Sequence, residues 1–559
     1  MNRDDAGARP EPGAPSSMRA DAGPASGGLA TATPPARTDR RDHAPDADVY
    51  RDRYLIAIAV TLASVLELLD TSIVNVAIPH MMGTLGATLD EIAWVSTGYI
   101  VANVIVLPIT GWLASLFGRR RYFVGSIALF ILASMGAGSA HSLEALVLWR
   151  IVQGLGGGAL LSTSQAILYE SFPAEEFGTA MAIFGMGVMV GPTLGPTLGG
   201  YITDAFSWRW IFYINLPFGL LALMLSLSYV RESRFARKVM QVDWQGLLLL
   251  VAGVGALQTM LERGQHLDWF ASREIVAEAV TVVLAFIGFV WWELRVEHPV
   301  VELRILKDRQ LSAGLAFASL LGLCLYATVF VLPVYLQALL GYTAEQTGLV
   351  ILPGALASAL TMAVMSRAGN RLNPKILVIC GVSVFMLSMW KSSLFTLASG
   401  GHDFFWPLIF RGVGMGLLFV PLTNLALADL PMDKIPNGTG LFNLTRQLGG
   451  SVGIALAATT LTRMRTLARG DLLGDVSAYD PVARGRVDQL TAGFQARGMP
   501  LETARAQAIA ALDRMVTGQA MMISFERLFI LFGFALALGL PLLLLMKHRS
   551  PAARTVDAH

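Results

Sequence analysis

A chain of 559 residues that is 54% hydrophobic and 15% charged, with a mean hydropathy of +0.56, lies far from the composition of soluble globular proteins. Its formal net charge of +2 argues against a nucleic-acid binder, and its two cysteines, Cys324 and Cys380, lie in apolar runs without metal-ligand spacing. No lysine follows a glycine, so the chain has no phosphate-binding Gly-x-x-x-x-Gly-Lys-Ser/Thr loop to drive it with ATP, and no cofactor is expected.

Residues 1–50, rich in Ala, Pro, Gly, Asp and Arg, lack apolar periodicity and read as a disordered tail with no signal-peptide core. Beyond them, fourteen stretches are long and apolar enough to cross a bilayer, centred from Ala63 to Gly533. The expected fold is therefore an all-α polytopic membrane protein. An even number of spans puts both termini on one side. Basic residues fall in alternate short loops: Arg119 to Arg121, Arg231 to Lys238, Arg304 to Arg309 and Arg367 to Lys375. Such loops stay in the cytoplasm, so both termini are expected there, the last being a tail at 549–559.

The first span, "SVLELLDTSIVNVAIP", carries two carboxylates one helical turn apart. Ser64, Glu67, Asp70, Thr71 and Asn75 fall within an arc of about 140° on a helix. Charges at mid-membrane cost at least about 2.5–3.5 kcal/mol each, so they face a bundle interior or a watery path and commonly mark ion and substrate routes. The fourth span sets Arg150, Gln153, Ser164 and Gln165 on one face, supplying a buried cation for those anions. A static Arg–carboxylate lock between helices is the plainer reading of the same residues. In the fifth span, Gly187, Gly191, Gly195 and Gly199 recur every fourth residue, with Pro192 and Pro196 beside two of them. This pattern predicts close helix approach and a bent, movable interface.

The second half repeats the theme. Arg411 lies in "RGVGMGLLF", similar to "RIVQGLGGGALL", and Asn443, Arg446, Gln447 and Gly450 share a face of the thirteenth span. Duplicated halves with a site at their interface are characteristic of secondary transporters. Between the last two spans, residues 463–521 form one long polar connection, expected outside the membrane, with an amphipathic helix in "PLETARAQAIAALDRMV".

From about Tyr54 to Met546 these motifs resemble the major facilitator superfamily, and more narrowly its fourteen-helix drug:proton antiporters of the EmrB/QacA type. "LDTSIVNVAIP", "LWRIVQGLGGG" and "GPTLGPTLGG" look like the first-helix, fourth-helix and antiporter motifs, and "LQTMLERGQHLDWFASREI" is similar to the EmrB subgroup. The resemblance implies six-helix bundles at 51–230 and 301–548, with two additional helices at 231–300 between them. It further implies proton-driven export of amphipathic compounds across the inner membrane by alternating access. A periplasmic membrane-fusion adaptor and an outer-membrane channel are implied partners. Asp70, Glu67 and Arg150 are the expected proton-coupling residues, Asp70 first among them. Asn75, Gln153, Gln165, Asn443 and Arg446 are expected at the substrate cavity. Gly111, Gly118, Arg119 and Arg120 belong to the family's cytoplasmic loop motif, which departs from its usual form in carrying Ser115 and Leu116 where Asp and Arg are common; Phe177 likewise replaces a frequent Arg. Two other readings compete: an exporter of one metabolite or siderophore, and, remotely, a membrane enzyme using Glu67 and Asp70 as an acid/base pair.

Overall fold

The computed structural model describes residues 52–173, 176–233, 243–297, 299–368, 372–431, 434–476 and 479–546. The tails expected at 1–50 and 549–559, and the basic stretch 234–242, lie outside them. Every regular element among the described residues is helical. In chain order these are α1 (Arg53–Leu85), α2 (Leu89–Phe117), α3 (Arg119–Gly138), α4 (Leu143–Ser171) and α5 (Phe177–Ala205). There follow α6 (Trp210–Tyr229), α7 (Trp244–Arg263), α8 (Arg273–Glu293), α9 (Arg309–Val334) and α10 (Ala344–Ala368). The last are α11 (Pro374–Ser392), α12 (Gly401–Leu427), α13 (Ile435–Asp475), α14 (Pro481–Gln495) and α15 (Leu501–Ala537).

Short connections break the helices through ordinary capping chemistry. Gly86 ends α1 in the left-handed conformation, and Thr88 opens α2 with a capping box: its hydroxyl accepts from the Glu91 amide at 3.4 Å while the Glu91 carboxylate accepts from the Thr88 amide at 2.8 Å. Asp243, Asp308, Asn373 and Asp480 cap α7, α9, α11 and α14 in the same spirit.

Twelve helices are long and apolar enough to span a bilayer by composition. The two further spans of the fourteen-helix bundle are α5 and α13. Asn443, Arg446 and Gln447 dilute the hydropathy of α13. Both are central in the packing: α5 lies along α1, and α13 along α9. The expected duplication is visible in these pairings. Helix pairs α1·α5, α2·α4 and α3·α4 recur eight helices later as α9·α13, α10·α12 and α11·α12. The halves meet through α5 against α10 and α2 against α13, which are the same contact under that correspondence. The additional helices α7 and α8 form a hairpin whose first arm rests on α2 and touches α13. Its outer arm exposes Val280, Val283, Leu284 and Ile287 as a lipid-facing stripe.

Residues 463–521 are not an open loop. Helix α13, with 41 residues, is about 60 Å long, twice the hydrocarbon thickness, so its end projects beyond the membrane. The 37-residue α15 does the same at its start, and the amphipathic stretch expected there is its first four turns. Helix α14 packs on α15, and Arg469 pairs with Asp513 at 2.5 Å to tie the two projecting ends.

The glycines of α5 serve close approach to α1. A side chain at Gly191 would stand 3.0 Å from Leu68 Cβ, and one at Gly199 would stand 2.9 Å from the Ile73 carbonyl oxygen; Gly187 and Gly195 face Thr61 and Ser72 more tightly still. Helix α5 stays helical through positions 192 and 196. Gly191→Val should therefore lower the thermal midpoint in detergent, an overpacking cost of about 1–3 kcal/mol. Gly83→Ala, with nothing within 4 Å of the added carbon, should not lower the midpoint, since alanine favours the helix.

Candidate functional site

Helix α4 is pressed against α2 by its glycines. A side chain at Gly157 would meet the Tyr99 hydroxyl at 2.7 Å, and Gly154 and Gly158 face the α2 backbone at Tyr99 and Asn103. That closeness lets polar groups of α1, α2 and α4 reach one another in the buried interior. Asp70 is fully buried, and Arg150 is 1% exposed. Arg150 Nη1 donates to Asp70 Oδ2 at 2.5 Å and to Gln153 Oε1 at 2.7 Å. The other Asp70 oxygen accepts from Gln153 Nε2 and from Asn215 Nδ2 of α6, each at 2.9 Å. Ser134 of α3 accepts from Asn215 at 3.0 Å and from Gln153 at 3.2 Å, and donates to the Phe212 carbonyl at 2.9 Å. Arg150 Nε donates to the Val95 carbonyl of α2 at 3.1 Å, and the guanidinium lies 4.1 Å from the centre of the Tyr99 ring. One ion pair thus gathers α1, α2, α3, α4 and α6.

Glu67 belongs to a different environment. Asn103 Nδ2 donates to its Oε1 at 2.9 Å, whereas its Oε2 is buried with no partner among the described residues. The charge of Arg446, in the opposite half, reaches it. The next residue, Leu68, lines a cavity between the halves together with Val188, Tyr326, Ser358, Arg411, Met415 and Arg446. At about 90 Å³ this cavity is smaller than the roughly 300–1,000 Å³ of a drug-sized site.

The stripe expected on α1 therefore divides. Asp70 faces Arg150 and Asn215, Glu67 bonds to Asn103 of α2 within reach of the Arg446 charge, and Ser64 donates to Ser164 at 3.0 Å, which itself donates to the Val60 carbonyl at 3.0 Å. Asn75 stands apart, exposed at the far end of α1 and accepting from Ser96 at 3.1 Å. Of the residues expected at the cavity, Arg446 lines it, Gln153 is committed to Asp70, and Asn443 donates to Gln165 at 2.8 Å in a bridge between α13 and α4.

The arginine-bearing end of the bundle is shut. Gly111 of α2 lies against Asn437 of α13, Gly440 lies against the Leu107 carbonyl, and Phe419, Val420 and Met362 join the apolar core of the first half. Around the departures at Ser115 and Leu116, other charged residues make local contacts. Arg119 pairs with Glu170 at 2.5 Å, and the Glu232 carboxylate accepts from the Arg120 amide at 3.3 Å while sitting beside Gly118, whose φ of +86° favours glycine. Ser115 folds back on the Gly111 carbonyl at 2.9 Å. The side chain of Phe177 lies outside the described residues.

Tyr99, Asn103, Ser134 and Asn215 were not singled out from the sequence. Each is a polar residue in an apolar span; what was missing was the partner, which lies on another helix.

A duplicated helical bundle with buried charges at mid-depth and a cavity between its halves defines a membrane transporter. Residues 60–454 match the Major Facilitator Superfamily, and the chain belongs to it. It is 37% identical over 439 residues to the "Multidrug export protein EmrB" of Haemophilus influenzae, covering 78% of this chain and 86% of that one. Identity to the Escherichia coli K12 protein of the same name is 34% over 481 residues, covering 85% and 91%. The "Fatty acid resistance protein FarB" of Neisseria gonorrhoeae is 32% identical over 494 residues, covering 88% and 96%. In fold, the chain resembles the human organic anion transporter MFSD10, with a TM-score of 0.54 at 14% identity, covering 87% of this chain and 99% of that one.

Removing one member of a buried ion pair is expensive. Arg150→Ala should destabilise the protein by about 3–5 kcal/mol, and Arg150→Lys by less, since it keeps the charge but loses the fork. Denaturant midpoints of the purified variants check this; an unchanged Arg150→Ala midpoint would contradict it.

Proposed function

We propose that this protein is a proton-coupled exporter of amphipathic drug-like compounds, seated in the bacterial inner membrane with both termini in the cytoplasm and working by alternating access. Its similarity to multidrug export proteins over most of the chain supports the substrate range, and the arginine-rich short loops support the orientation. On that orientation, the closed end is the cytoplasmic one.

The observation that carries the mechanism is the Asp70–Arg150 centre. Protonating Asp70 strips a buried guanidinium of its counter-ion, which the site tolerates only by rearranging. Every helix of the first half except α5 is tied to this centre, and α5 itself lies between α1 and α10 of the other half. A proton at Asp70 therefore biases the packing between halves, as a two-state switch requires. Glu67, which accepts from Asn103 and feels the charge of Arg446 that lines the cavity, is the carboxylate that meets cargo. An enzyme using the two as an acid/base pair is disfavoured, because they serve separate environments.

Everted vesicles energised by respiration should accumulate dyes and antibiotics in an uncoupler-sensitive manner. Asp70→Asn should keep cargo binding yet lose most of that uptake. Normal proton-driven uptake by Asp70→Asn would remove Asp70 as carrier and leave Glu67.

The projection made by the end of α13, α14 and the start of α15 exposes Leu467, Val482, Leu501 and Ile509 away from the bilayer span, as a docking surface would. A periplasmic membrane-fusion adaptor, leading to an outer-membrane channel, is the partner assigned to it. Deleting residues 477–499 should abolish adaptor co-purification and cellular drug resistance while vesicle uptake partly survives. Undiminished co-purification would dismiss the surface.

A further inference from the structure

Three consecutive arginines open α3, and the protein uses them unequally. Arg119 is buried and pairs with Glu170. Arg120 is turned toward the end of α6, where its Nη2 donates to the Leu227 carbonyl at 2.6 Å and its amide to the Glu232 carboxylate at 3.3 Å. Arg121 is exposed and has neither an ion-pair nor a hydrogen-bond partner among the described residues. A guanidinium is thus left free where α3 enters the membrane.

Arg121 lines one end of a groove of about 610 Å³ between α2, α3 and α4. The wall is apolar, formed by Leu113 and Leu116 of α2, Leu129 of α3 and Leu155 of α4. Leu129 and Leu155 are exposed, so the groove opens sideways to lipid and not into the bundle. Leu116 stands where an arginine is common in the cytoplasmic loop motif, and keeps this wall free of charge. From Arg121 to Leu129 the α3 wall descends about 12 Å, most of the roughly 15 Å of hydrocarbon in one leaflet. Midway, Gly125 has nothing within 4 Å of where a side chain would begin, which leaves the groove open at its centre. Beneath Arg121, the Tyr122 hydroxyl is buried without a partner among the described residues and lines the same space.

A free cation at the membrane surface, an unsatisfied donor just below it and an apolar trough running on toward mid-membrane follow the order of phosphate, ester and acyl chain in a phospholipid. Basic pockets between membrane helices favour anionic headgroups. A free phosphate would occupy the mouth alone, and a neutral hydrocarbon would leave the guanidinium and the hydroxyl unmet.

We propose that this groove binds one anionic phospholipid from the leaflet at the arginine-rich end, with its phosphate on Arg121, an ester oxygen on Tyr122 and an acyl chain lying past Gly125. The site is separate from the cavity between the halves and stands whatever the cargo is.

Native mass spectrometry of the purified full chain, stripped of lipid and titrated with dioleoyl-phosphatidylglycerol or dioleoyl-phosphatidylcholine, tests the site. The anionic lipid should bind tighter than the zwitterionic one. Arg121→Gln should cut that preference by about fivefold, the effect of one basic residue near a lipid surface, and Arg121→Lys should keep most of it. Gly125→Leu, whose added side chain starts in open space, should fill the groove and remove the tightest-bound lipid of either kind. Glycerol phosphate at the same concentration should not compete. Equal binding of the two lipids, a preference unchanged in Arg121→Gln, or binding unchanged in Gly125→Leu would reduce the groove to ordinary lipid contact and overturn the assignment. Competition by glycerol phosphate would overturn it in favour of a headgroup-only site, and displacement of the lipid by a dye would give the groove to cargo instead. Should Gly125→Leu not fold, the wild-type ranking and the Arg121 variants decide.

Discussion

A carboxylate and a guanidinium shut away from water must satisfy each other, and the first half of this protein is arranged around that requirement. Asp70 takes hydrogen bonds on both oxygens, from Arg150, Gln153 and Asn215, and Arg150 spends its remaining donors on Gln153 and the Val95 carbonyl. Buried pairs contribute little stability compared with well-packed apolar groups, but they are expensive to break halfway. Such a centre is therefore less a source of strength than a means of making one packing distinct from another. Transport needs that distinction, since two arrangements of the same helices must be separated by something a proton can change.

The glycines are what bring these charges together. Without Gly154, Gly157 and Gly158, α4 could not approach α2 closely enough for Tyr99 to lie over Arg150 or for α1 to meet both. The glycines of α5 do the corresponding work on the opposite side of α1. Helix α1 is thus held on one side by polar bonds and on the other by close apolar contact.

Much of this was legible in the sequence because membrane helices announce themselves by length and hydropathy, and because a charge inside one is conspicuous. Glu67, Asp70, Arg150 and Arg446 stood out for that reason. Which carboxylate meets which arginine was not legible: Glu67 and Asp70 lie one turn apart on a single predicted stripe, yet the slight rotation between them sends one to Asn103 and the other to Arg150. Asn103 and Asn215 are inconspicuous alone and acquire meaning only from helices far away in the chain. The segment 463–521 looked like a connection because its residues are polar, whereas polarity there reflects a helix continuing from lipid into water. Ser115 and Leu116 depart from a motif near which Arg119 pairs with Glu170 and the Glu232 carboxylate accepts from the Arg120 amide, contacts invisible in the sequence.

The hairpin of α7 and α8 makes the bundle unequal toward the surrounding lipid. Two seams separate the halves, α2 against α13 and α5 against α10, and they are equivalent by the internal duplication. The hairpin lies along α2, and its turn is fastened across to α13 where Trp269 donates to Thr459 at 2.9 Å. Among the described residues, one seam is fenced in this way and the other is not. Toward the lipid the two seams thus differ: two extra helices flank one, and among the described residues nothing comparable flanks the joint of α5 and α10 at the other.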